Sequence, residues 1–82
     1  ISYFMGTSNF DAALKHVNAL LREEPQFTRA LNMKAQILLE GFQKNEQARR
    51  CLNKVLQLSQ PDEEQYKLAD SLIMASYHSE DD

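Results

Sequence analysis

Apolar residues recur at spacings of three and four along four separate stretches of this chain. From about Asn9 to Glu24, Phe10, Ala13, Leu14, Val17, Leu20 and Leu21 fall on one stripe, the pattern of an amphipathic helix. Ser8 or Asn9 can cap its start, and Asp11 suits the first turn. Pro25 ends it, because the residue ahead of a proline is pushed out of helical geometry. The second stretch, about Gln26 to Gly41, turns Phe27, Leu31, Ala35, Leu38 and Leu39 inward, with Gly41 as its terminator. The third, about Asn45 to Leu58, does the same with Ala48, Cys51, Leu52, Val55 and Leu56, and Asn45 serves as its cap. The fourth, about Asp62 to Tyr77, uses Tyr66, Ala69, Leu72, Ile73 and Tyr77. Asp62 and Gln65 read as a capping box there, with Glu63 and Glu64 at the positive end of the helix dipole. Ahead of all four, the apolar run from Ile1 to Met5, closed by Gly6, reads as the last turns of a truncated helix. Ser79 to Asp82 form an acidic tail.

The pattern repeats. Asn9-Phe10-Asp11-Ala12-Ala13-Leu14, followed by Leu20-Leu21 and Pro25, has a second copy in Asn45-Glu46-Gln47-Ala48-Arg49-Arg50, followed by Val55-Leu56 and Pro61. Ala13 and Ala48 are 35 residues apart. This resembles the tetratricopeptide repeat, a pair of antiparallel helices with a period of about 34 residues. The small residue, paired apolar residues and proline of that family's second helix match Ala13, Leu20, Leu21 and Pro25. Phe10 matches its opening aromatic and Phe4 the aromatic near the end of the first helix. Leu31, Ala35 and Leu38 fit the first helix of the next repeat. Asn45 departs from the pattern where an aromatic is usual, with Phe42 available to fill the space from the preceding loop. Pro61 comes one residue late.

The resemblance implies an all-α fold: antiparallel helical hairpins stacked as a short right-handed solenoid, with four full helices and a truncated first one. It divides the single domain, 1–82, into a partial repeat over 1–27, a complete repeat over 28–61, a C-terminal or capping helix over 62–78 and the acidic tail over 79–82. Composition agrees. Two glycines and two prolines among 82 residues are too few turn formers for a many-stranded sandwich or barrel. A chain this short buries only about 60 % of its unfolded surface, so the core is thin.

A net charge of −3 argues against a general nucleic-acid binder, which needs many cations to displace counterions. The single cysteine, Cys51, cannot close an internal disulfide, and no apolar run approaches the ~20 residues of a membrane span. The expectation is an intracellular, cytoplasmic protein. No catalytic constellation emerges, and no cofactor or metal is expected. His16 and His78 have no ligand at metal spacing, and Cys51 sits on the buried stripe. Arg49 falls toward solvent. Glu23–Glu24, Glu63–Glu64 and Asp81–Asp82 are sequence neighbours, and adjacent helical residues diverge by about 100° rather than converge on a substrate. Lys44, Arg50 and Lys54 make a modest basic stripe without the aromatics that stack bases.

In the resembling family, first helices line a concave groove that binds a peptide or partner helix. By that analogy the partner-binding face carries Arg29, Asn32, Met33, Gln36 and Glu40, joined by Glu64, Lys67 and Ser71 from the last helix. The expected role is an adaptor, co-chaperone or assembly scaffold for another protein. Family members that grip acidic chaperone tails use paired basic residues one turn apart on a first helix. Here Arg29 holds the first place and Met33 the second, so tail binding is a runner-up. Homo-oligomerisation through Ile1, Tyr3, Phe4 and Met5 is another.

Overall fold

The structure is a computed structural model that describes residues 9–80, so the segment up to Ser8 and the last two residues of the acidic tail lie outside it. Among the described residues the chain forms four helices: α1 (Asn9–Glu23), α2 (Thr28–Gly41), α3 (Asn45–Leu58) and α4 (Glu64–Glu80). Each matches one of the periodic stretches. The differences are at the ends, and each has a local cause.

Pro25 does stop α1, and the chain turns through a Phe27 N–H to Glu24 carbonyl bond of 3.1 Å. That turn delays α2 to Thr28, with Phe27 in extended geometry ahead of it. Gly41 ends α2, but for a different reason than a left-handed terminator. The positive φ belongs to Gln43, at 54°, and the Lys44 N–H then reaches back to the Leu38 carbonyl at 2.9 Å. Gly41 is instead a point of close approach, since a Cβ there would lie 2.5 Å from Cγ of Phe10. Asn45 is not the cap of α3. Lys44 holds that place without a side-chain bond, and the Asn45 amide donates to the Ser76 carbonyl at 3.5 Å. In place of an Asp62–Gln65 box, the turn ahead of α4 is closed between Gln60 and Glu63. The Glu63 carboxylate accepts the Gln60 N–H at 2.8 Å, and α4 starts at Glu64.

α2 is the centre. It packs against α1, α3 and α4, and α3 also packs on α4, while α1 makes no close backbone approach to α3 or α4. This explains why α2 buries more than the sequence stripe foresaw. Leu31, Ala35 and Leu38 form one cluster with Ala48, Leu52 and Val55 of α3 and Ala69 of α4. Ala30 and Ile37, missed by the stripe, face Val17 of α1 in a second cluster. Half-buried Phe42 packs against both clusters. Gly41 against Phe10 and Asn45 against Ser76 place the start of one helix beside the end of its neighbour, so the pairs run antiparallel.

Candidate protein-interaction groove

One face of α2 stays outside this packing. Arg29, Met33, Gln36 and Glu40 are exposed and recur at four, three and four residues, which places them on one line along the helix. Met33 is 43 % exposed, a large apolar side chain set among polar ones. The Gln36 amide donates to the Glu40 carboxylate at 3.2 Å. On α4 a second exposed line, Glu64, Leu68, Ser71 and Ala75, has the same spacing. Leu68 is 41 % exposed.

Asn32 joins the two helices. It is 2 % exposed and donates both to the Gln65 carbonyl at 3.0 Å and to the Gln65 side-chain oxygen at 2.8 Å. This corrects the expectation that Asn32 faces a partner. One step round the helix from Met33 carries it into the α2–α4 contact, between the two exposed lines. Its own Oδ1 is buried without a hydrogen-bond partner. Lys67 is exposed but lies one residue before Leu68, on the outer edge of the α4 line. Near the C-terminal ends of α2 and α4 the surface dips between Leu39, Glu40, Asn45, Leu72, Ala75 and Ser76. Leu68 and Ala75 are apolar, and so do not stand out in the sequence as members of a polar interaction face. The spacing from Glu64 to Ser71 runs through Leu68, and one more step of four reaches Ala75.

Elsewhere, Arg49 is not a solvated side chain. Its guanidinium donates to the Ser76 hydroxyl at 3.2 Å and lies 4.3 Å from the centre of the Tyr77 ring. Tyr77 is 54 % exposed, so it closes this edge from outside rather than lying in the core, and Ser76, 1 % exposed, is the residue that is buried. Cys51 is half-buried, and burial raises its thiol pKa against the opposing pull of Lys34 and Lys54. His16 and His78 are exposed. No group of three or more His, Cys, Asp or Glu side chains is placed to hold a metal among the described residues. No helix among them is long and apolar enough to cross a membrane.

Neither the curated proteins nor the solved structures compared with the chain gave a match. The family model described as tetratricopeptide repeat matches residues 4–72, which takes in α1, α2, α3 and half of α4. Repeats of that family mediate protein–protein interaction and are not enzymes. With the paired helices stacked through α2, this match shows that the chain belongs to the tetratricopeptide-repeat family.

Proposed function

We propose that this chain is a protein–protein interaction module, an adaptor, co-chaperone or assembly scaffold, that holds a partner peptide or helix between the exposed lines of α2 and α4. The carrying observation is the pairing of those lines by Asn32 and Gln65. Each line sets one large apolar residue, Met33 or Leu68, among hydrogen-bonding groups. That combination suits an amphipathic segment: apolar side chains supply affinity, and fixed polar groups supply register. Arg29 and Lys67 of this face are set against Glu40 and Glu64, so the charge is mixed. A strongly acidic tail fits it less well than a segment carrying both signs.

The test is calorimetric titration of a partner captured from cell extract. Replacing Met33 and Leu68 by alanine, or Arg29 and Lys67 by alanine, is expected to weaken binding by about 1–3 kcal/mol for each pair. Lys15→Ala on α1 is the control and leaves binding intact. Equal weakening by Lys15→Ala and the Arg29/Lys67 pair overturns the groove.

Self-association is the second reading, favoured by α4. Outside its core stripe this helix exposes Met74, at 67 %, as well as Leu68 and Tyr77. A second copy packing on that flank would cover them. Light scattering that gives a monomer at high micromolar concentration rejects it.

A further inference from the structure

α1 and α3 both lean on α2 without closing on each other. Between them is a depression of about 310 Å³, with Leu31 and Lys34 of α2, Leu21 and Pro25 on one side, and Arg50, Cys51 and Lys54 of α3 on the other. It is distinct from the groove: Lys34 lies about 100° round α2 from Met33. Three cations from two helices therefore meet over an apolar surface, in a chain whose overall charge is −3. Among the described residues none of the three has an ion pair or a hydrogen-bond partner. Glu24, beside Pro25, and Glu46, one turn before Arg50, are the near acids in sequence, and neither pairs with them. Like charges gathered without counter-charge repel one another, and an anion arriving from outside relieves that repulsion. Lys34 is half-buried, so its share of the attraction is screened less than that of a fully exposed lysine. The influence of Lys34 and Lys54 on the Cys51 thiol is independent support that both act on the same small volume.

We infer that this cleft is a second binding site, which takes an acidic segment of a partner protein carrying an apolar side chain among its carboxylates. Lys34, Arg50 and Lys54 engage the carboxylates, and Leu21, Pro25 and Leu31 receive the apolar side chain. Nucleic acid fits less well: three cations cover few phosphates, and among the described residues no aromatic ring lines the cleft for bases to stack on. The inference is independent of the groove, because no residue is shared.

The test is fluorescence polarisation with a labelled peptide in which a leucine is flanked on each side by paired glutamates. Saturable binding at low salt is expected. Replacing Lys34, Arg50 and Lys54 together by glutamine weakens it by about tenfold or more. Lys15→Gln, exposed on α1 outside both the groove and the cleft, leaves it unchanged, and replacing the peptide's leucine by glycine weakens it. Circular dichroism checks the fold of the triple variant. Should that variant unfold, Lys54→Gln alone, at an exposed position, carries the comparison and is expected to weaken binding. The inference is overturned if the glutamine variants bind the peptide as the parent does, or if Arg29→Ala abolishes binding. It is equally overturned if inorganic phosphate or an RNA oligonucleotide binds the cleft more tightly than the peptide.

Discussion

At Gly41 a hydrogen takes the place a methyl group cannot occupy, with Cβ, Cγ and Cδ1 of Phe10 all within 3 Å of where a Cβ would stand. These are the near atoms of the Phe10 ring and stem, so relief requires α1 to move rather than a side-chain tip. Gly41→Ala is therefore expected to lower stability by about 1–3 kcal/mol in a denaturant titration. Two residues on, Gln43 carries a left-handed φ that costs a non-glycine residue of order 1 kcal/mol. Gln43→Gly is expected to stabilise by a few tenths to about 1 kcal/mol and so to raise the melting temperature. The two changes thus have opposite signs within one loop. The sequence placed the end of α2 correctly at Gly41, yet a lone glycine does not say whether it serves torsion or clearance. Phe10 lies 31 positions earlier, and only packing brings it there. Cys51 supplies a pH dependence. Burial raises its thiol pKa, so the folded state holds the proton more firmly than the unfolded chain. The resulting stabilisation is present below the unfolded-state value and is lost as pH rises through the folded-state value. Stability of the parent should therefore fall on the alkaline side relative to Cys51→Ala, as followed by urea titration across pH.

Helices were legible because each buries one face, and periods of three and four residues record that face directly. α3 is the clearest case: Ala48, Leu52 and Val55 are fully buried, as its stripe requires. Ala48→Leu is expected to cost about 1–3 kcal/mol by overpacking, and Ala13→Leu less, since Ala13 is only half-buried. α2 was half legible. A helix buried on three sides has no single stripe, so the burial of Ala30, Ile37 and Asn32 is not written in its periodicity. Asn32 was also masked by chemistry, because an amide reads as a surface group until its partner is known. Gln65 is 33 positions away, on α4. A double-mutant cycle on Asn32→Ala and Gln65→Ala is expected to show a coupling of about 0.5–1.5 kcal/mol. Zero coupling would mean the two helices keep their spacing by apolar contact alone. Arg49 was misplaced for the same reason, since Ser76 and Tyr77 come from a helix that its own sequence neighbourhood does not reveal.

For the molecule as a whole, the family was readable from the spacing of Ala13, Pro25, Ala48 and Pro61, which follows the repeat and not the details of any one contact. The interaction face was readable on α2, where Arg29, Met33, Gln36 and Glu40 are exposed, and less so on α4. The cleft between α1 and α3 was not readable, since it depends on two helices failing to meet. Among the described residues α1 packs on α2 alone, and that has a kinetic consequence. An element with a single neighbour can detach without disturbing the rest, whereas α2 cannot move without breaking three contacts. Amide hydrogens of α1 should then exchange with deuterium by local opening, well before those of α2 and α3, which await global unfolding. A segment bound across α1 and α3 would act as a strap, slowing exchange in α1 far more than in the helices that are already held.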